Sequence, residues 1–293
     1  MQNSKIWYIT GASKGLGLSL TKQLLLKGEK VAATSRNVKT LSKKVGSKYA
    51  ASFLPLEVDL TKEQSIKNSI ASTIDSFGKI DVVVNNAGYG TGGALEELTE
   101  DEIQQSFDVN FFAVIKVIQQ ALPYMRKEQS GYIINISSIA GFAPGTGWSV
   151  YGAAKSAMNG LSEALAQELK PFGINVSIIS PGWFRTSFAK EESIELNQNQ
   201  ISAYEHIRTA HQKFKSIDGQ QIGNPDKVAA VLLKLVNEPH PPMNLFLGSD
   251  AYDRAFSKIE ELEDSMKKRK EVSFSTDFEE IGSPYYCKTI ILA

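Results

Sequence analysis

Near its start the chain carries a short apolar run, Lys5–Thr10, that passes directly into Gly11-Ala12-Ser13-Lys14-Gly15-Leu16-Gly17. Apolar residues at 18, 20, 24, 25 and 26 follow, and a glycine stands at 28. That is the pattern of a buried strand, a glycine-rich turn and a helix ending at a glycine. The order restricts the chain strongly. Glycines in the turn let backbone approach a pyrophosphate, and the following helix N-terminus offers N–H donors and the positive end of its dipole. The spacing is Gly-x-x-x-Gly-x-Gly rather than Gly-x-Gly-x-x-Gly.

The remainder of the chain repeats the alternation. Strands are expected at about 5–10, 30–35, 52–58, 80–85, 131–137, 174–180 and 244–248, and helices between them at about 15–27, 38–46, 62–77, 101–128, 150–171 and 225–238. Alternating strands and helices predict an α/β fold: a doubly wound, parallel, seven-stranded sheet with helices on both faces. Residues 1–249 read as one domain, in which 186–224 form a long polar and helical excursion. Residues 250–293 read as a C-terminal extension, a charged helix to about 271 and then a tail, and not as an independent domain.

Composition excludes several classes. With 293 residues and 42 % apolar content, the chain has enough for one large core. Lys+Arg and Asp+Glu balance at 32 each, so no strong field favours nucleic acid or an anionic membrane. The basic run Lys267–Lys270 follows Glu260, Glu261, Glu263 and Asp264 and reads as a solvated helix face. A single cysteine, Cys287, excludes an intrachain disulfide. No apolar run approaches membrane-spanning length and no leader is apparent, so a cytoplasmic protein is expected. His206, His211 and His240 are scattered in polar segments, and no metal site is expected.

Chemistry is indicated by Tyr151-Gly152-Ala153-Ala154-Lys155, with Ser138 thirteen residues upstream. Four residues apart, the phenol and the ammonium share a helix face. A neighbouring cation favours phenolate and lowers the phenol's pKa, which prepares it to exchange a proton with a substrate oxygen. Ser137 is the neighbouring alternative hydroxyl, but strand alternation turns it to the other face.

Together, Thr10-Gly11-x-x-x-Gly15-x-Gly17, Asp59, Asn85-Asn86-Ala87-Gly88, Asn110, Ser138, Tyr151-x-x-x-Lys155 and Pro181-Gly182 resemble the short-chain dehydrogenase/reductase family in its single-domain form, over about residues 4–250. The resemblance implies a Rossmann fold and hydride transfer with a nicotinamide cofactor. It implies Tyr151 as acid or base and Lys155 as the group that lowers the tyrosine pKa and holds the nicotinamide ribose. Ser138 would bond the substrate oxygen, and Asn110 would anchor a relay water while also serving as a helix-kink residue. For the cofactor it points to Gly11, Ser13, Lys14, Gly15, Leu16 and Gly17, to Asp59 and Leu60 at the adenine, to Asn86, Ala87 and Gly88, and to Pro181, Gly182 and Thr186 near the carboxamide. Asp59 could equally be an acid at a helix start. The excursion 186–224 lies where the family covers its substrate and reads as a lid. Pairing of the helices around 101–128 and 150–171 between subunits implies a homodimer or homotetramer.

An NAD preference usually needs an acid at the end of the second strand. Here the strand ends Ala33-Thr34-Ser35-Arg36-Asn37, and Arg36 and Lys14 are cations suited to a phosphate. NADP is therefore expected. Tyr89, Phe142, Trp148, Trp183, Phe184 and Phe188 crowd the expected substrate side and favour an apolar carbonyl compound. The expected activity is that of an NADPH-dependent carbonyl reductase or alcohol dehydrogenase. Its alternatives are an acyl-carrier-protein ketoreductase and a catalytically silent NADP-binding sensor.

Overall fold

A computed structural model describes residues 4–189, 194–196 and 201–278. Its main sheet has seven parallel strands: β1 (Ile6–Ile9), β2 (Lys30–Ser35), β3 (Phe53–Glu57), β4 (Val82–Asn85), β5 (Gly131–Ile136), β6 (Ile174–Pro181) and β7 (Asn244–Leu247). Their spatial order is 3-2-1-4-5-6-7. In register, Trp7 of β1 lies between Val31 of β2 and Val82 of β4. Successive strand residues feed opposite cores, as a period of two requires. Trp7, Ile9, Val31 and Val84 face α1 (Gly15–Leu26), α2 (Val38–Val45) and α8 (Val228–Leu235). Tyr8, Ala32, Val83 and Ile133 face α3 (Glu63–Phe77), α5 (Ala113–Glu128) and α6 (Ser149–Leu169). Burial on both faces explains why the strands read as continuous apolar runs. The strand order reverses between β1 and β4, and the crevice opens beyond their carboxyl ends.

The stretch expected as one helix over 101–128 is interrupted. α4 (Glu100–Phe107) starts at Thr99, whose hydroxyl accepts from Glu102 N at 3.2 Å while Glu102 Oε2 accepts from Thr99 N at 2.8 Å. A π turn, Asp108–Phe112, then separates it from α5. Single π turns of this kind concentrate at functional sites.

The excursion after β6 contributes α7 (Glu205–Ser216) and a three-residue strand, Ile194–Leu196, paired with Gly90–Gly92. Buried Glu97 ties this region down, accepting from Ile201 N at 2.8 Å, Arg208 Nη1 at 2.9 Å and Ala94 N at 3.2 Å. These donors, led by the Ile201 amide, hold its carboxyl below the usual range. After β7, α9 (Ser249–Lys268) and the short α10 (Lys270–Phe274) run on. Ala251 and Ala255 of α9 are buried beside Ile139 and Ala143, with Phe142 and Phe246 against them. No helix among the described residues is long and apolar enough to cross a membrane. Cys287 lies outside the described residues.

Candidate active site

The glycine turn is locked to the end of β4. Thr10 Oγ1 accepts from the backbone N–H groups of Asn86 and Ala87, both at 3.0 Å. Asn86 Nδ2 returns bonds to Thr10 O at 2.9 Å and Gly11 O at 3.1 Å. Gly11 has φ +67°, and a Cβ there would stand 2.7 Å from Ala87 Cα, so only glycine fits. A Cβ on Gly17 would collide with Asn86 Nδ2 and Gly11 O. Gly17 therefore closes the packing behind the turn.

A cavity of about 830 Å³ runs across the carboxyl edge of the sheet. Gly11, Ser13, Lys14, Gly15 and Leu16 line it, as do Asp59, Leu60, Asn86, Ala87, Gly88, Pro181, Gly182 and Thr186. One end is basic, with Lys14, Arg36 and also Lys44, whose Nζ donates to Ser13 O at 2.9 Å. Thr40 and Lys44 stand four apart on α2 and share a face, while Arg36 precedes the helix cap Asn37. That spacing was the signal for Lys44, which the sequence reading missed. Asp59 accepts from Thr61 Oγ1 at 2.7 Å and Thr61 N at 3.0 Å, bonds that hold its carboxyl below the usual range. Its turn-closing role is thus realised at a residue that also lines the cavity.

At the centre, the extended end of β5 delivers Ser138, and the first turn of α6 delivers Tyr151. Both line the cavity, and the Ser138 hydroxyl accepts from Ala140 N at 3.1 Å. Lys155, one turn on, is buried and donates Nζ to Ile136 O at 3.0 Å. Its Nζ lies 5.9 Å from the Tyr151 ring centroid. The expected lowering of the phenol is not what this arrangement produces. Burial pushes Tyr151 up to about 12, against the opposing influence of the Ser138 side chain, and pushes Lys155 down to about 8. Desolvation is the leading cause at both groups. Ser137 also lines the cavity, against the expectation that strand alternation turns it away, and its buried hydroxyl has no partner among the described residues.

Asn110 is brought near but not into the cavity. It is fully buried in the π turn, with Nδ2 donating to Ser106 O at 2.9 Å and Tyr89 O at 3.1 Å and Oδ1 accepting from Tyr89 N at 3.3 Å. A Cβ on Gly88 would meet Asn110 Oδ1 at 2.7 Å and Lys155 Nζ at 3.3 Å. The Asn110 amide bonds to backbone on both sides and packs beneath Gly88, the helix-kink part of its expected role.

The other end of the cavity is aromatic. Trp148 packs 6.1 Å from Tyr151, 5.0 Å from His211 and 5.4 Å from Phe214, and Trp183 lies 5.2 Å from Phe214. Tyr89, Trp148, Trp183, Phe184 and Phe188 line the cavity as expected. Phe142 does not: it packs on Phe246 at 5.2 Å, under α9. His211, read as a polar-segment histidine, is buried on Gly147 O at 3.1 Å. Phe214, Gln221 and Arg254 line this end without having been anticipated, because folding of α7 and α9 over the sheet edge brings them there.

The short chain dehydrogenase family matches residues 5–197. The chain belongs to that family. It is 37 % identical over 248 residues to a 3-ketodihydrosphingosine reductase of Bacteroides thetaiotaomicron, covering 83 % of this chain and 88 % of the relative. It is 33 % identical over 273 residues to an oxidoreductase, BOA17, of Botryotinia fuckeliana, covering 93 % and 99 %. A solved short-chain dehydrogenase from Streptomyces avermitilis superposes with a TM-score of 0.88 at 33 % identity, covering 94 % of this chain and all of that one. The protein is accordingly an oxidoreductase that uses a nicotinamide cofactor, with a Rossmann-type sheet. The glycine cradle, where side chains at Gly11 and Gly17 would collide, fits that dinucleotide.

Proposed function

We propose that this short-chain dehydrogenase is an NADPH-dependent carbonyl reductase acting on an apolar ketone, with the reverse alcohol oxidation as its microscopic counterpart. The observation that carries the reading is that Ser138 and Tyr151 line the same cleft, with buried Lys155 one helical turn on from Tyr151. NADP(H) supplies the hydride. Ser138 donates to the substrate oxygen and stabilises the charge that develops there. Tyr151 gives that oxygen its proton. A phenol held near 12 is still protonated at neutral pH, and the alkoxide it meets is the stronger base, so the high value suits reduction. Lys155 keeps a cationic or neutral amine beneath the ribose position and is poised to return the proton. Lys14, Arg36 and Lys44 favour the 2′-phosphate, since β2 ends without an acid. Trp148, Trp183, Phe188 and Phe214 favour an apolar substrate body.

The test is oxidation of NADPH and of NADH against a panel of ketones, with Tyr151→Phe beside the parent. NADPH turnover is expected, and loss of the proton donor is expected to lower kcat about 10²–10⁴-fold with cofactor affinity retained. Retention of half the parent's turnover, with chemistry rate-limiting, overturns the assignment. Binding of NADPH with no turnover across the panel would instead favour a silent sensor.

A further inference from the structure

Arg254 stands apart from the machinery described so far. It comes from the first turns of α9 and lines the aromatic end of the cavity together with Trp148 and Trp183. A Cβ on Gly145 would lie 3.0 Å from Arg254 Nη2 and 4.0 Å from Trp148 Cδ1, so the guanidinium and the indole edge flank the same glycine. Gly145 is the residue that leaves the guanidinium room. The Arg254 side chain is half-buried, yet no hydrogen bond or ion pair joins it to another described residue. A guanidinium carries five donors, and withdrawing it from water without partners is unfavourable. Burial accordingly draws its pKa down, while the charge of Asp250 one turn earlier opposes that. Asp250 does not quench it: Asp250 Oδ2 accepts from Trp183 N at 2.7 Å, and no contact within ion-pair distance joins the two side chains.

The remaining cations of the cavity lining are elsewhere. Lys14, Arg36 and Lys44 are at the adenosine end, and Lys155 is at the centre. The aromatic end thus offers a single planar donor fork beside an apolar surface. That combination suits one carboxylate on an apolar body better than a doubly charged phosphate, which usually draws several cations.

We propose that Arg254 is the anion-recognition group for the substrate, and that the preferred substrate is an apolar ketone bearing a carboxylate remote from the reacting carbonyl. The inference rests on the carbonyl reductase reading above. It gives the C-terminal helix a part in specificity, because that helix supplies the fork. It also places a cation where an amino-ketone would be repelled.

The experiment uses the full chain and aryl methyl ketones whose para side chain ends in a carboxylate after one to three carbons, each with its methyl ester and the corresponding amine. The acid is expected to exceed its ester in kcat/KM by roughly 10–100-fold, the worth of a hydrogen bond to a charged group. In Arg254→Gln that preference collapses, with ester turnover retained, and Arg254→Lys keeps part of it. Calorimetric binding of the same acids to NADPH-loaded protein gives a readout independent of turnover. Equal rates for acid and ester in the parent, preference for the amine, or an equal loss for both in a folded Arg254→Gln overturns the proposal while leaving the reductase intact. Arg254-dependent binding of the acids without reduction of any ketone overturns the reductase reading and leaves the recognition site standing. If Arg254→Gln does not fold, the acid-to-ester ratio in Arg254→Lys decides.

Discussion

Lys155 holds an ammonium in a site that disfavours its charge. Its pKa lies near 8 when folded, below the ordinary lysine value that the unfolded chain recovers. Below pH 8 the amine is charged in both states, and the fold carries the whole desolvation penalty. Between pH 8 and about 10 the folded amine is neutral while the unfolded one still holds its proton, so stability rises with pH over that window. Lys155→Met is therefore expected to unfold later at pH 7, by on the order of 3 kcal/mol, and to lose the rise between pH 8 and 10. Denaturant titrations at pH 7, 8 and 9.5 check this, and a less stable variant at pH 7 refutes it. Arg36 makes the second residue-scale prediction. Arg36→Asp removes a cation from the expected 2′-phosphate position and adds an acceptor for ribose hydroxyls, so the NADPH-to-NADH ratio of kcat/KM should fall by roughly tenfold or more. An unmoved ratio would leave the phosphate to Lys14 and Lys44. Residue identities of this kind were legible because a short motif carries both the group and its position: Tyr151 and Lys155 stand one helical turn apart wherever the helix goes. The pKa directions were not legible, since desolvation depends on what packs over the pair.

At the scale of elements, the seven strands stand within a residue or two of their expected positions, because doubly covered strands leave continuous apolar runs such as Val82–Val84. The break between α4 and α5 left no such trace. Asp108–Phe112 keeps a helical apolar spacing, and it is the backbone bond from Ala113 N to Asp108 O, five residues back, that reveals the wider turn. The excursion after β6 was legible as helical, but the fastening of α7 was not. Glu97 lies over a hundred residues from the Ile201 amide and the Arg208 guanidinium it accepts. Glu97→Ala leaves that amide and guanidinium without their acceptor, and breaking a buried pair of this kind costs about 3–5 kcal/mol. The loss should fall on α7, since Glu97 holds the start of that helix rather than the sheet. Hydrogen exchange in Glu205–Ser216 is expected to accelerate while the strands keep their protection, and KM for the ketone is expected to rise more than kcat falls. Unchanged exchange across α7 would remove Glu97 as the fastener.

For the whole molecule, the segment after β7 divides into two parts with different consequences. The first turns of α9 bury Ala251 and Ala255, engage Trp183 N through Asp250, and bring Arg254 to the cavity. The outer side of the helix carries an open apolar stripe, Tyr252, Phe256, Ile259, Leu262 and Met266, with Met266 73 % exposed. Spacings of three and four place these residues on one side of the helix. Contiguous exposed apolar surface of this sort marks an interaction surface. Val272, Phe274 and Phe278 beyond it are all more than 60 % exposed and bury nothing in the described fold. Deleting residues 272–293 is therefore expected to leave the melting temperature and NADPH affinity unchanged, because every strand, the glycine turn and Arg254 precede the cut. Assembly should respond instead. The family resemblance implies that α5 and α6 pair between subunits, and on that basis the full chain is expected to run as a dimer. The shortened chain, in which the end of the stripe is freed of the segment that follows it, is expected to run as a larger species. Light scattering of both proteins at matched concentrations distinguishes the outcomes. Equal masses would deny the segment any part in assembly. A monomeric full chain would remove the helix pairing as well, and a lowered melting temperature on truncation would show that the tail supports the fold itself.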